Sequence, residues 1–167
     1  MNKRLRIVAV TVVALLAVAL ATLRVVGLPP RNQRPGLWLS GDVVEAPVND
    51  WAFTDAFPEI QVQTRTWYVL PHSVTAMCAS VDGQLYLASF YAGGPRRLWN
   101  RNVARDPRIR VKIGNQLFDR KVIPLADSVE TERVFEAYAR KYPSWKKLYE
   151  SPASQRPTIF YWRTEPL

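Results

Sequence analysis

The residues best suited to chemistry in this chain are cationic, and they crowd into one stretch. Arg96, Arg97, Arg101, Arg105, Arg108, Arg110, Lys112, Arg120 and Lys121 fall there against Asp106 and Asp119 alone. Gly93-Gly94-Pro95 leads into it. A glycine loop entering a helix aims backbone N–H groups at an anion, and Arg96 with Arg97 adds a bidentate grip, so a phosphate-bearing ligand suits the place. The plainer reading of the same run is a solvated basic face. Ser89 and Tyr91 end the apolar strand that precedes the loop. Strand ends at a barrel mouth are common ligand sites, where Tyr91 could stack, donate its hydroxyl or simply fill core.

Little else offers a reactive constellation. His72 follows Pro71 at a strand end and reads as an exposed loop residue. Cys78 sits within an apolar run, so a buried, inert thiol is expected. Asp55 and Glu59 flank Pro58 with nothing to fix their geometry and read as surface. One cysteine and one histidine exclude an internal disulfide framework, a cysteine-only zinc site and multi-histidine metal motifs. No metal site is expected. A net charge of +9 favours anionic partners. Nucleic acid is not expected, since zinc and RNP motifs are lacking; acidic lipid headgroups suit a tethered basic domain better.

The elements that must position these residues begin with an apolar segment. Lys3, Arg4 and Arg6 precede seventeen uncharged residues, 7–23, and the apolar run resumes after Arg24 as far as Leu28. With Arg24 snorkelling to the interface, residues 7–28 reach the length of a membrane span. Ala19-Leu20-Ala21 also fits a signal-peptidase site, but the apolar run continues past it, which favours an uncleaved signal anchor. Basic residues flank both sides, Arg24, Arg31 and Arg34 on the far one, so the charge rule is close to a tie. The short basic tail, residues 1–6, favours a single-pass protein with its globular domain outside the cytoplasm, on the periplasmic or cell-surface side. Residues 29–36 hold three prolines and read as a linker, and the domain spans residues 37–167.

That domain is mostly strand. Strands are expected over residues 37–45, broken by Ser40-Gly41, and over 60–69, 73–80, 84–90, 108–113, 117–125 and 158–163. Asp82-Gly83 and Gly114-Asn115 supply hairpin turns. Ile109, Val111 and Ile113 alternate with Arg108, Arg110 and Lys112. Helices are expected over residues 96–105 and 127–141, the second opened by an Asp127/Glu130 capping box and stopped at Tyr142-Pro143, with a further turn at residues 144–149. This order suits an α+β, mostly β fold: a small antiparallel barrel with two or three helices against its openings. Several of the six tryptophans must lie in its core.

Three motifs now stand in order: residues 82–89, Asp-Gly-Gln-Leu-Tyr-Leu-Ala-Ser; then Leu98-Trp99-Asn100-Arg101-Asn102-Val103; then residues 105–111, Arg-Asp-Pro-Arg-Ile-Arg-Val. This run resembles the split β-barrel flavin-binding superfamily, the pyridoxamine-phosphate-oxidase-like proteins, and within it the deazaflavin (F420)-dependent nitroreductase and quinone reductase family. The resemblance spans roughly residues 60–163. It implies that Trp99 and Asn102 fall on the family's W-x-x-N, where the asparagine helps hold the cofactor's anionic tail, and that Ser89, Gly93 and Gly94 fall on the loop that passes the cofactor. The family's phosphate-gripping Arg-Lys-Ser-Gly is replaced near Gln63-Thr64-Arg65-Thr66-Trp67, leaving Arg65 and Thr66 at that place, with Arg96 and Arg97 as compensation.

Two functions are therefore expected as alternatives. One is a membrane-tethered oxidoreductase binding FMN or F420 that passes hydride to a quinone-like, lipophilic or nitro acceptor, the cofactor doing the chemistry. A relative that binds haem, or no cofactor, is equally open; the other function is a non-catalytic module of the same fold, binding an anionic ligand, a lipid headgroup or a partner protein on its basic strand face. A homodimer is implied by the resemblance alone. An exported domain would have difficulty obtaining a reduced, dissociable cofactor.

Overall fold

The structure, a computed structural model, describes residues 2–31, 34–68, 70–91 and 97–167, without the side chains of Tyr91 and Ala153. Helix α1, Lys3–Val26, carries no buried residue and is long and apolar enough to cross a membrane. Its two threonines return their hydroxyls to the backbone one turn earlier, Thr11 to the Ile7 carbonyl at 3.0 Å and Thr22 to Val18 at 2.9 Å, so neither presents a free hydroxyl outward. Gly27 ends the helix at φ 80°, where a side chain would be strained and would meet Ser40 Oγ at 2.8 Å. The proline-rich segment is a hairpin folded on the domain. Leu28 N–H donates to Trp38 O at 2.8 Å, Leu37 N–H to Leu28 O at 2.7 Å, and Gly36 exchanges two backbone bonds with Ser73 at 2.9 and 3.0 Å.

The domain holds β1 (Asp42–Val43), β2 (Ile60–Thr64), β3 (His72–Ala76), β4 (Cys78–Val81), β5 (Gln84–Tyr91), α2 (Leu98–Arg105), β6 (Arg108–Ile113), β7 (Gln116–Pro124), α3 (Ser128–Lys141), α4 (Pro143–Glu150) and β8 (Thr158–Pro166). The sheet order is β3-β2-β6-β7-β8-β5-β4, all antiparallel, with the short β1 added parallel to the start of β7. Strands β3 and β4 are the two ends of that order, yet only Met77 separates them in the chain. One bent segment therefore borders β2 with its first half and β5 with its second, and the sheet must curl. Val62, Leu85, Leu87, Val111 and Phe118 fill its inside with Trp51, Trp99 and Trp162. The outer faces of β4, β5 and β8 take α3 and α4 through Tyr86, Val134, Phe135, Tyr138 and Trp145.

The elements follow local chemistry where local chemistry is strong. Asp82 (φ 50°) and Gly83 (φ 75°) make the β4–β5 turn that positive φ requires. Asp127 caps α3 by accepting from Glu130 N–H at 2.7 Å. Glu130 does not close the box; its carboxylate takes the Tyr86 hydroxyl at 2.8 Å and Arg163 at 3.0 Å. Of the strand expected over residues 37–45 only Asp42–Val43 forms, because β8 occupies the rest of that edge of β7. The strand from Ile60 stops at Thr64, where its pairing with β3 ends. The turn expected at residues 144–149 is a full helix, α4, with Pro143 in its first turn.

Candidate functional site

The strand pairing itself opens a cleft. Strand β4 borders β5 only from Gln84 to Leu87. Beyond Leu87 the neighbouring chain has bent through Met77 into β3, which pairs with β2 instead. The edge of residues 88–91 is left without a strand, and a hollow of about 770 Å³ lies there. His72, Val74, Ala76 and Met77 form one wall, and Ala88, Ser89 and Phe90 the other. Arg97, Leu98 and Trp99, at the start of α2, close one end, with Trp145 of α4 also in the lining. Arg34 and Pro35 of the N-terminal hairpin reach it, and Glu59 is the one carboxylate in the lining.

Its walls are braced from behind. The Trp99 indole is buried and packs on Trp162 at 4.7 Å between ring centres. Asn100 Nδ2 donates to Ser89 Oγ at 3.1 Å, which fixes that hydroxyl at the cleft wall. Asn102 Nδ2 donates to Thr64 Oγ1 at 2.9 Å, and the Thr64 hydroxyl donates to the His72 carbonyl at 3.1 Å, so one polar line ties α2 to β2 and β3. Trp145 Nε1–H points at Met77 Sδ at 3.1 Å, holding the residue at the bend.

His72 is not a loop residue. It opens β3, lines the cleft and is half-buried. Desolvation lowers its pKa below the ordinary 6.5, which keeps the imidazole neutral at pH 7. Its Nδ1 is buried with no hydrogen-bond partner among the described residues. Cys78 is fully buried, and desolvation pushes its thiol pKa up although Lys141 Nζ stands 3.5 Å away.

Of the residues that the sequence nominates, Ser89, Arg97 and Trp99 come together in this cleft. Asn102 lies behind it, 2% exposed, its amide engaged with Thr64. Arg65 lines a smaller hollow of about 260 Å³ with Arg24, Trp38, Arg108 and Arg110, and its guanidinium is 4.0 Å from Asp106. The Thr66 hydroxyl turns back on the Leu70 carbonyl at 2.6 Å. Tyr91 closes β5, but its side chain lies outside the described residues, as do Gly93, Gly94 and Arg96. Sequence reasoning did not single out Asn100 or Trp145. Asn100 carried a signal, an amide inside the short polar helix beside Trp99; Trp145 carried none, since it reaches the cleft only through the docking of α4.

The basic run is not one continuous patch. Arg108 holds Asp106 through two bonds of 2.8 and 2.6 Å, and this keeps the Asp106 carboxyl below its usual range. Arg110 stands opposite Asp119 across the β6–β7 pair and binds it bidentately at 2.7 and 2.6 Å. Lys112 donates to the Ser40 carbonyl at 2.6 Å, and Arg120 is buried 5.2 Å over the Trp51 ring. A binding module built on the β6 face would have to displace these partners.

With this geometry in place, the chain can be set beside known proteins. No curated protein matches it. Among solved structures it resembles a protein described as a domain-swapped dimer, at 21% identity and TM-score 0.53 over 65% of this chain and 81% of that one. It also resembles a Listeria innocua protein provisionally named a pyridoxamine 5'-phosphate oxidase, at 15% identity and TM-score 0.52 over 69% and 88%. A conserved hypothetical protein of Mycobacterium tuberculosis matches at 16% and 0.52 over 73% and 81%. At such identities these likenesses establish the split-barrel type of fold. The family model for F420H(2)-dependent quinone reductases matches residues 69–160, which hold both strand walls of the cleft, the start of α2 and Trp145, and the chain belongs to that family.

Proposed function

We propose that the chain is a membrane-tethered reductase that takes hydride from reduced F420 and delivers it to a quinone-like acceptor in the cleft beside Trp99. The observation that carries this reading is the cleft itself: aromatic and aliphatic walls, cationic ends, and a position inside the segment that matches the family. The residues fit a deazaflavin. A planar ring suits the slot between β3 and β5, where Val74, Ala76, Phe90 and Trp99 exclude water. The half-buried His72 imidazole and the fixed Ser89 hydroxyl, both in the lining, offer polar contacts to ring heteroatoms. Arg34 and Arg97 are exposed and, among the described residues, take part in no ion pair, so they suit an anionic tail.

When bound, F420H2 supplies the hydride. The chain's own residues bind, orient and dry the site. Arg97 sits at the N-cap of α2 and contributes charge where the helix dipole also favours an anion. Trp99, held by Trp162, gives a rigid edge for ring stacking. His72, neutral and half-buried, can accept or donate a hydrogen bond at the cleft wall without adding charge. The domain boundaries at residues 1–6, 7–28, 29–36 and 37–167 belong to this reading.

The tether is supported by α1, a 24-residue helix that is long and apolar enough to cross a membrane and carries no buried residue. It places a lipophilic acceptor and the cleft at one surface, which raises their effective concentration. This reading puts the domain on the cytoplasmic side, against the expectation from the short basic tail, because the reaction needs a supply of reduced donor. A C-terminal reporter active only outside the cytoplasm would reverse that orientation. A homodimer, the state of one structural neighbour, is part of the reading and is checked by light scattering on the detergent-solubilised chain.

The test uses the full chain in nanodiscs. F420 is titrated by its fluorescence, and F420H2 oxidation is followed with menadione as acceptor. Saturable binding at micromolar F420 or below, with menadione-dependent oxidation, is expected. No binding in that range overturns the reading.

A further inference from the structure

The second hollow is where α1 meets the domain, and it has the composition of a membrane interface. At about 1.5 Å per residue, Arg6 and Arg24 stand roughly 27 Å apart along α1, close to the thickness of a hydrocarbon core, about 30 Å. A span anchored by Arg6 on one side therefore brings Arg24 to the headgroups on the other. Arg24 shares its hollow with Trp38, Arg65, Arg108 and Arg110, so that hollow lies at headgroup depth as well. The connection is not a loose tether. Ser40 Oγ donates to the Val26 carbonyl at 2.8 Å, and Leu28 is paired on both sides with Leu37 and Trp38.

Two residues past Arg65, the β2–β3 loop carries the most exposed aromatic pair described. Trp67 is 80% exposed and Tyr68 41%, their rings meeting edge-on at 5.3 Å. Trp and Tyr beside arginines are the side chains that settle at the bilayer interface, with the ring among the acyl carbonyls and the cation at the phosphates. The charge has the matching sign: Asp106 and Asp119 are taken by Arg108 and Arg110, which leaves Arg24 and the exposed Arg65 to meet a phosphate.

We propose that this face, Trp67 and Tyr68 with Arg24 and Arg65, lies on the surface of an anionic bilayer and holds the domain in one orientation above it. The inference rests on the tether reading. It goes further, because a tether alone assigns the domain no contact with lipid.

The test uses the full chain in nanodiscs of brominated phosphatidylcholine, with or without about one-third phosphatidylglycerol. Bromines near the interface quench tryptophans seated there. Wild type is expected to show quenching that deepens with anionic lipid, and the Trp67→Phe variant to lose about half or more of it. The Arg65→Glu variant is expected to return quenching in anionic discs to the neutral-lipid level, with circular dichroism reporting that it folds. Unchanged quenching in Trp67→Phe, or equal quenching in both lipids, overturns the docking face and leaves those aromatics to a protein partner. Extraction of the chain from vesicles by alkaline carbonate overturns the tether itself, a distinct failure.

Discussion

The two ends of the basic run meet different fates. On the β6 face each arginine has a carboxylate: Arg108 takes Asp106, and Arg110 takes Asp119 directly across the strand pair. At the cleft, Arg97 takes part in no ion pair among the described residues, and neither does Arg34, brought in from the hairpin. The difference lies in partners. Antiparallel register places Arg110 and Asp119 opposite one another, whereas the α2 N-terminus has no acid in its first turn. Charge density along a sequence therefore says little about charge available to a ligand.

The sharpest break in this comparison is expected at the braced wall. Trp99→Ala should destabilise the domain by about 3–5 kcal/mol, since it empties a packed site against Trp162, measured by urea unfolding; a loss near zero would mean that the wall is not rigid. Arg97→Glu comes next. It should weaken F420 binding by roughly 100-fold in a fluorescence titration, a charge-assisted contact being worth about 1.5–3 kcal/mol before repulsion is added. Arg110→Glu should change F420 binding by less than about twofold, because the paired strand face is not asked to bind. Equal losses at both positions would erase the distinction between them.

A smaller effect should appear with pH. Burial lowers the His72 pKa, so the unfolded chain takes up this proton first as pH falls. The contribution is whole above the unfolded value of 6.5 and is lost as pH falls through the lower folded value. Stability measured between pH 7 and 5 should fall less steeply in His72→Gln than in wild type, and parallel slopes would remove the buried neutral imidazole. The smallest effect belongs to the exposed pair. A double-mutant cycle on Arg110 and Asp119 should give a coupling of about 1 kcal/mol or less.

Much of the frame was legible in the chain. Alternation at Ile109, Val111 and Ile113 fixes β6, and all three are buried. Asp82-Gly83 sets its hairpin through positive φ, and Asp127 caps α3. These are local effects, decided by neighbours in sequence. Of the residues that meet in the cleft, Ser89 and Trp99 were legible through motif order and Arg97 through the cationic run that follows the glycine loop. His72 differs from the exposed loop residue that its sequence context suggests, because its burial depends on the hairpin and β2 packing beside it.

Residue types and spacings thus determined the apolar N-terminal helix, the hairpins, the family motifs and a glycine-led cationic segment, since each depends on torsional preference or side-chain period within a few residues. Tertiary structure alone decided that the chain bends at Met77 and parts β3 from β5, which arginines find carboxylates, and that the proline-rich stretch folds back to carry Arg34 to the cleft. Those outcomes depend on contacts between segments far apart in the chain, and no local preference encodes which distant partner a side chain will meet.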